Sequence, residues 1–228
     1  MRIKSFVLRA GRMSAAQKRS YENLFSLYGS NSEGSQDSAG LFGNSNPLVI
    51  EIGFGMGRAT AAIAAENPGI NYLGIEVHRP GIGRLLWEID KQGIKNIRII
   101  EGDAVEIIKR RVKDNTVSAF HVFFPDPWPK KKHHKRRLVK RPFTDLLADK
   151  LTGNAYIYMV SDWAEYGDWA LRELSGTPGL VNKYRGFAVN QEWRPKTEFE
   201  KKGLLKNHEI RELYFVKSPD GGTKAQGE

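Results

Sequence analysis

Short apolar segments alternate with longer amphipathic segments after Pro47, and this alternation predicts a layered α/β fold. The apolar runs suit buried parallel strands, which we place at Leu48–Ile52, Tyr72–Ile75, Ile97–Ile100, Ala119–Phe124 and Ala155–Val160. Apolar residues three or four positions apart predict helices at Ala59–Glu66, Gly83–Lys91, Ala104–Val112, Pro142–Leu151 and Trp163–Leu174. A last run, Ile210–Val216, is expected to pair antiparallel with its neighbour. The pattern therefore predicts a mostly parallel sheet with helices on both faces.

The segments before Pro47 differ in composition from the rest of the chain. Residues 1–28 are basic and aromatic, and we expect them to form an N-terminal arm or a short helix. Residues 29–46 are rich in Gly, Ser and Asn, and such a segment buries too little apolar surface to offset its ordering entropy. We therefore expect a flexible linker at 29–46, a folded domain at 47–217 and a disordered tail at 218–228.

Composition and charge narrow the function classes. The 228 residues include 36 Lys or Arg and 26 Asp or Glu, and the formal net charge of +10 favours a polyanionic partner such as nucleic acid. The chain has no cysteine, which excludes disulfides, thiol nucleophiles and Cys-based zinc sites and fits a reducing compartment. No apolar run is long enough to cross a membrane or to form a signal-peptide core, so we expect a cytoplasmic protein.

Carboxylates follow the predicted strands close to a turn rich in glycine. Glu51 precedes the turn Gly53-Phe54-Gly55-Met56-Gly57, Glu76 ends the second strand and Asp103 follows the third. Because open α/β sheets bind ligands at the carboxyl ends of their strands, these residues predict a cofactor site there. A nicotinamide dinucleotide site would need a glycine where Arg58 stands. A tight turn without a ligand, and a helix N-cap role for Asp103, are the structural alternatives.

A second motif follows the fourth predicted strand. Pro125-Asp126-Pro127-Trp128 joins an acid and an indole, and the run from Lys130 to Arg141 then holds eight Lys or Arg in twelve positions. Such a run neutralises several phosphates, although a solvated surface loop has the same composition. Trp128 suits either stacking on a purine or packing beneath the loop. The adjacent His133 and His134 lack the spacing of a metal-ligand pair, and we predict no metal.

Several motifs together resemble known families. The glycine turn with its acids resembles the class I S-adenosylmethionine-dependent methyltransferases. A more specific resemblance, to the bacterial tRNA (guanine-N7)-methyltransferases, covers the chain from Ser5 to Val216. The motifs that carry it are Phe6-Val7, Gly11-Arg12, Gly53-Phe54-Gly55-Met56-Gly57, Gly74-Ile75-Glu76-Val77-His78, Pro125-Asp126-Pro127-Trp128 and Arg194-Pro195-Lys196-Thr197-Glu198-Phe199-Glu200.

This resemblance implies a fold, a reaction and partners. The fold is a single Rossmann-like class I methyltransferase domain, α/β in class, with an antiparallel last strand. The cofactor is S-adenosyl-L-methionine, which leaves as S-adenosylhomocysteine. The methyl acceptor is N7 of a guanine in tRNA, guanine 46 of the variable loop, and neither a membrane nor a metal takes part. The oligomeric state, monomer or homodimer, stays open.

The resemblance also implies roles for individual residues. Cofactor contacts are expected from Glu51, Gly53, Gly55, Glu76, Asp103 and Asp126. RNA contacts are expected from Lys130, Lys132, His133, His134, Lys135, Arg136, Arg137, Asp162, Thr197, Glu198, Phe199 and Glu200. Asp126 is also expected to be catalytic, by bonding the donor edge of guanine and offsetting the charge that develops on the purine. Glu198 stands where the family often has a basic residue.

Local chemistry leaves quieter roles open for some of these residues. Asp162 suits a helix N-cap, and Thr197-Glu198-Phe199-Glu200 has the T-x-x-E pattern of a capping box. Two other functions also stay open. One is an exocyclic-amine nucleic-acid methyltransferase, a class that carries an Asn or Asp, two paired prolines and an aromatic after its fourth strand, whereas the prolines of Pro125-Asp126-Pro127-Trp128 are not paired. A non-catalytic RNA-binding protein with a degenerate cofactor fold is disfavoured by the intact acids.

Overall fold

A seven-stranded sheet forms the centre of the computed structural model, which describes residues 3–7, 11–30, 36–197, 200, 205 and 208–218. The strands are β1 (Leu48–Ile52), β2 (Asn71–Glu76), β3 (Ile97–Glu101), β4 (Val117–Phe123), β5 (Leu151–Ser161), β6 (Leu180–Asn182) and β7 (Arg211–Lys217). Their order in the sheet is β3-β2-β1-β4-β5-β7-β6. Strands β1 to β5 are parallel, and β7 pairs antiparallel with both β5 and β6.

The helices cover both faces of this sheet. They are α1 (Ala15–Tyr28), α2 (Ser38–Phe42), α3 (Arg58–Glu66), α4 (Arg79–Gln92), α5 (Ala104–Arg111), α6 (Phe143–Lys150) and α7 (Ala164–Ser175), with a 3-10 helix, η1 (Lys131–Arg136). One apolar cluster joins the sheet to α5, α6 and α7, and the other joins it to α1, α3 and α4. The predicted mostly parallel sheet with an antiparallel last strand is confirmed.

Strand β1 shows why the buried parallel strands appear in the sequence as continuous apolar runs. Successive side chains of a strand point to opposite faces, so Leu48 and Ile50 enter one apolar cluster while Val49 enters the other. With helices on both sides, every residue of β1 is buried. A parallel strand covered in this way needs apolar residues at nearly all positions.

The second half of the N-terminal arm is a helix, α1. Ser14 and Gln17 form a capping box before α1, because the Ser14 hydroxyl accepts from the amide of Gln17 while the Gln17 side chain accepts from the amide of Ser14. Helix α1 packs closely on α4 at Gly83, where a Cβ would overlap the carbonyl of Gln17. Helix α4 also begins four residues before the predicted start, with Pro80 tolerated in its first turn.

The segment predicted to be a linker is packed where the structure describes it. Gly29 bridges to Ile99 of β3, and Asp37 caps α2 by accepting from the amide of Gly40 at 2.8 Å. Leu41 and Phe42 of α2 pack against the main apolar cluster. Within the expected flexible linker, residues 29–30 and 36–46 therefore make contacts with the folded domain, and the apolar ones come from Leu41 and Phe42.

Strand β6 was missed because three residues are too short to show a period. Residues 31–35, and the predicted tail apart from Ser218, lie outside the described part of the chain. No helix within the described ranges is both long and apolar enough to span a bilayer.

Candidate active site and RNA-binding surface

A cavity of about 310 Å³ opens at the carboxyl edge of the sheet. The loops after β1, β2, β3 and β4 contribute Gly53, Glu76, Gly102 and Asp126 to its lining. Residues 5–7 of the N-terminal arm also line it. The sheet order changes direction between β1 and β4, and ligands of open α/β sheets bind at such a switch point.

The glycine turn presents its backbone to this cavity. Gly53 has φ 73° and Gly55 has φ 58°, a left-handed conformation that favours glycine. A Cβ at either position would extend into open space, so a ligand can approach the backbone closely. These features suit a cofactor that lies along the turn.

Glu76 holds the glycine turn against the end of β2. Its carboxylate accepts from the amides of Gly55 at 2.8 Å, Val77 at 2.7 Å and His78 at 3.0 Å. An ionised carboxylate has about four acceptor sites, so these three bonds leave capacity for a hydroxyl donor. Glu76 therefore both shapes the turn and remains a suitable partner for a ligand hydroxyl.

Gly81 in the first turn of α4 lets the helix touch the glycine turn. A Cβ at Gly81 would overlap the carbonyl oxygen of Gly55, so only glycine allows this packing. The sequence contained a signal, because a glycine inside a helix costs stability relative to alanine and requires a reason. We did not assign Gly81 a role from the sequence.

Two further predicted cofactor acids, Glu51 and Asp103, are next in sequence to residues that line the cavity. Glu51 is 4% exposed, and its burial, together with the charge of Glu76, raises the pKa of Glu51 to about 7. Asp103 caps α5 by accepting from the amide of Val105 at 3.1 Å, so its N-cap role is confirmed. Its neighbours Gly102 and Ala104 both line the cavity.

The loop that carries Asp126 has a strained backbone. Phe124 and Trp128 flank it with φ 50° and 49°, values that cost a residue with a side chain about 1 kcal/mol or more each. Phe124 and Asp126 both line the cavity, and Asp126 is exposed. Such strain persists where surrounding contacts hold a functional loop in place.

Trp128 packs beneath the N-terminal arm. Its indole nitrogen donates to the carbonyl of Ser5 at 3.1 Å, and the Arg136 guanidinium lies 5.1 Å from its ring centroid. His133 approaches the same ring edge-on. Trp128 is thus held against residue 5 of the arm, whose residues 5–7 line the cavity, and its stacking on a purine stays a prediction.

Arg137 lies within the basic run but is turned inward. Its side chain is fully buried, donates to the carbonyl of Pro127 at 3.0 Å and forms an ion pair with Glu165 of α7. Its guanidinium also lies over the rings of Tyr166 and Trp169. In this arrangement Arg137 fixes the Asp126 loop to α7 and does not reach solvent.

The rest of the basic run lies on the surface around η1. Lys130, Lys131, Lys132 and Lys135 are exposed, and Arg136 is half-buried. Partial burial and the surrounding cations lower the pKa of His133. His134 is linked to Arg137 through its Nε2, at 3.0 Å from Nη2. The exposed lysines form a positive surface beside the cavity.

The segment around Thr197 is held by a buried ion network. Arg194 donates to Glu200 at 2.5 Å, to Glu212 of β7 at 2.8 Å and to the hydroxyl of Tyr158 at 3.2 Å. The Thr197 hydroxyl accepts from the amide of Glu200 at 3.1 Å, which is half of a capping box. The Glu200 carboxylate faces Arg194, and it is 3% exposed. Glu198 and Phe199 lie outside the described residues.

Asp162 does not cap a helix. The N-cap position of α7 is Trp163, whose amide donates to the hydroxyl of Ser161 at 3.2 Å. An Asp162 oxygen instead lies 3.5 Å from Nδ1 of His208. Among the described residues, no group of three His, Asp or Glu side chains is arranged to hold a metal ion.

Comparisons with known proteins agree with this geometry. A family model described as "Putative methyltransferase" matches residues 45–213. The tRNA (guanine-N(7)-)-methyltransferase of Nitrosospira multiformis is 45% identical over 216 residues, which cover 94% of each chain. That of Treponema pallidum is 43% identical over 244 aligned positions, covering 95% of this chain and 96% of its own. The chain belongs to the tRNA (guanine-N(7)-)-methyltransferase family.

Solved structures of more distant proteins share the fold of this tRNA (guanine-N(7)-)-methyltransferase. The 16S rRNA methyltransferase KamB matches with a TM-score of 0.56 at 15% identity, covering 96% of this chain and 99% of its own. The antibiotic-resistance methyltransferase Kmr matches with a TM-score of 0.54 at 12% identity, covering 78% and 90%. At these identities the likeness concerns the class I methyltransferase fold alone.

For a tRNA (guanine-N(7)-)-methyltransferase, the structure brings together part of the predicted site. Gly53, Glu76 and Asp126 line one cavity, whereas Arg137 and Glu200 are buried in ion pairs. Several further residues line the cavity without a role predicted from the sequence, which are Ser5, Phe6, Val7, His78, Phe124 and Leu138. Residues 5–7 are distant along the chain from the strand ends, and no local pattern indicates that these segments meet. His78 and Phe124 are two residues from Glu76 and Asp126, so their position after strands was the available signal.

Proposed function

We propose that this tRNA (guanine-N(7)-)-methyltransferase transfers the methyl group of S-adenosyl-L-methionine to a guanine N7 in the cavity at the carboxyl edge of its sheet. The products are 7-methylguanosine in tRNA and S-adenosylhomocysteine. The observation that carries this proposal is that Asp126 lines the same cavity as the glycine turn and Glu76. One cavity then has two walls. The cofactor wall is formed by the glycine turn and Glu76, and the substrate wall is formed by Asp126.

The cofactor wall suits an adenosyl compound with an amino-acid tail. The backbone at Gly53 and Gly55 is open to the tail, and Glu76 has an acceptor site for the ribose hydroxyls. We assign Asp103 to the adenine side and Glu51 to support of the turn from below. When bound, S-adenosylmethionine supplies an electrophilic methyl group on a positively charged sulfur.

The substrate wall needs no general base. Guanine N7 carries a lone pair and no proton, so a carbon–nitrogen bond forms as the carbon–sulfur bond breaks, with the electron pair left on sulfur. The purine gains a positive charge in this step. Asp126 accepts from the donor edge of guanine and offsets this charge, since a preorganised carboxylate stabilises charge that develops in the transition state.

The RNA side extends from this cavity along the basic surface. We assign phosphate contacts to Lys130, Lys132, His133, His134, Lys135 and Arg136, which position RNA without reading its sequence. Asp162, Thr197, Glu198, Phe199 and Glu200 are proposed to complete the RNA contacts, Glu200 through its effect on the Thr197 segment. For Arg137 we propose an indirect role, in which its buried ion pair holds the lysines in place.

The finer details of the proposal follow from the family. The target is guanine 46 in the variable loop, and the enzyme acts in the cytoplasm, where tRNA is found. The proposal holds for a monomer or a homodimer. The folded domain spans 47–217, to which the described parts of residues 1–46 contribute α1 and α2.

The test of this function measures methyl transfer from labelled S-adenosylmethionine to an unmodified tRNA transcript, followed by nucleoside analysis. We expect 7-methylguanosine, at a position that cleavage mapping assigns to the variable loop. A methylated exocyclic amine would overturn the assigned atom. Absence of transfer with the cofactor bound would leave the fold and discard the substrate.

The catalytic role of Asp126 is tested by Asp126→Asn, which keeps the size of the side chain and removes its charge. We expect kcat to fall about 100-fold, as for loss of one preorganised transition-state contact. The control is Asp90→Asn, an exposed acid in α4. Full turnover of Asp126→Asn with unchanged cofactor affinity would show that Asp126 does not have this role.

A further inference from the structure

A second cavity, larger than the first, lies beside the active site. Its volume is about 610 Å³, and its walls come from α5, α6, η1 and residues 3 and 5 of the N-terminal arm. Ser5 and Leu138 line both cavities, so the two are direct neighbours. The proposed function uses Lys135 and Arg136 of this second cavity for phosphate contacts but assigns no role to its apolar side chains.

The second cavity has an apolar wall. Val105 of α5, Leu138, and Phe143 and Leu146 of α6 contribute side chains to it. Leu138, Val105 and Leu146 are half-buried and pack against the main apolar cluster, so the wall is part of the folded core. Apolar side chains of this kind can pack against the face of a nucleobase.

The rim of this cavity is positively charged. Lys109, Lys135, Arg136 and Lys140 line it. The other two charged lining residues are already paired within the chain: Arg137 with Glu165, and Glu106 with Arg110 at 3.4 Å. Lys140 donates through its Nζ to the carbonyl of Lys135 and keeps its charge, so the rim carries a net positive charge, which suits a group with a phosphate.

Arg136 connects the two cavities. It lines the second cavity, its guanidinium lies over Trp128, and its Nη1 lies 3.5 Å from the carbonyl oxygen of Lys4. Trp128 belongs to the loop that carries Asp126. A ligand that binds Arg136 in the second cavity therefore contacts a side chain that packs directly on the Asp126 loop.

We propose that the second cavity binds a nucleotide of the tRNA that neighbours the target guanine, with its base on the apolar wall and its phosphate at the rim. The proposal rests on the proposed function, because it takes the first cavity as the guanine site. Proteins that read single-stranded RNA loops splay out bases and stack them on side chains. Two adjacent cavities allow two neighbouring nucleotides to be held apart, which unstacks the target and presents its N7.

The test of this cavity fills it without touching the active site. Leu146→Trp places an indole in the second cavity, and Leu171→Trp on α7 is the matched control, since Leu171 is also half-buried against the main cluster. We expect Leu146→Trp to weaken binding of an unmodified tRNA transcript about tenfold, the loss of one stacked base. Thermal stability and the Kd for S-adenosylmethionine should equal those of the control.

A substrate change tests the same contact from the RNA side. Transcripts with an abasic residue immediately 5′ or 3′ of the target guanine are compared on both proteins. We expect the wild type to bind one of the two abasic transcripts about tenfold more weakly than the intact transcript. Leu146→Trp should bind that abasic transcript and the intact one equally well, because the base and the cavity form one contact. Independent, additive losses would overturn the proposal.

The rim is tested with Lys109→Gln, and Lys95→Gln serves as the control because Lys95 is an exposed lysine after α4. We expect weaker tRNA binding only for Lys109→Gln. The slope of log K for tRNA against log salt should also fall, by the amount that corresponds to about one phosphate contact. Unchanged tRNA affinity in both Leu146→Trp and Lys109→Gln would overturn the proposal while wild-type methylation stands. A raised Kd for S-adenosylmethionine with unchanged tRNA affinity would assign the cavity to the cofactor and also overturn it.

Discussion

Gly81 lies where the first turn of α4 meets the carbonyl oxygen of Gly55. Helix propensity alone predicts that Gly81→Ala stabilises α4, but the added methyl group would displace the glycine turn. We expect Gly81→Ala to raise the Kd for S-adenosylmethionine about tenfold and to lower thermal stability, as a misplaced binding group does. The measurement is calorimetric titration, with Gly69→Ala as the control because its Cβ would meet open space. Tight cofactor binding by Gly81→Ala would contradict this.

Glu51 makes the stability of the protein depend on pH. Burial raises its pKa from 4.5 to about 7, so between these values the folded chain keeps a proton that the unfolded chain has lost. Stability therefore falls as pH rises through this window, by about 3 kcal/mol in total. We expect Glu51→Gln to remove this loss, measured by urea unfolding at pH 4.5 and pH 8. The exposed Glu66→Gln should behave as the wild type, and an identical pH dependence in Glu51→Gln would contradict the assignment.

At the scale of elements, the basic run contains both a buried structural residue and residues that face solvent. Arg137 joins the Asp126 loop to α7, whereas Lys132 of η1 is exposed. We expect Arg137→Gln to lower the free energy of unfolding by about 2 kcal/mol, since it removes charged hydrogen bonds from a buried site. Lys132→Gln should leave stability unchanged and weaken tRNA binding. Denaturant titrations of both variants check this, and equal stability of the two would contradict it.

At the scale of the whole molecule, the excess of positive charge governs association with tRNA. The binding constant should fall steeply as salt rises, because each neutralised phosphate releases counterions. We expect the double change Lys132→Gln with Lys135→Gln to reduce the slope of log K against log salt by about 1.5. The control is Lys91→Gln with Lys95→Gln, two exposed lysines at the end of α4 and just after it. The same slope in both double variants would show that η1 makes no phosphate contacts.

The elements were predictable to the extent that their signals are local. Strand β1 and helix α5 appear at the predicted places because strand burial and helix periodicity are properties of short windows. Strand β6 has three residues and gives no such signal. Helix α2 was not predicted because polar residues surround its short apolar segment. Leu41 and Phe42 anchor it to a core that other segments form.

The candidate site was predictable in part for the same reason. The glycine turn, Glu76 and Asp126 follow strands, and parallel strands bring their carboxyl ends to one edge. Which cations reach solvent was not predictable, because Arg137 and Lys132 look alike in the sequence. Glu165, which buries Arg137, is 28 positions away along the chain.

The sequence by itself determined the class of fold and, through its motifs, the family. It also determined which loops after the parallel strands carry the candidate site residues. These depend on local periodicity and on residue types at fixed spacings. Only the tertiary structure decided that residues 5–7 of the N-terminal arm line the first cavity, that Gly81 packs against the glycine turn and that a second cavity lies beside the first. The physical reason is that these features arise from contacts between distant segments, whose meeting depends on the packing of the whole chain.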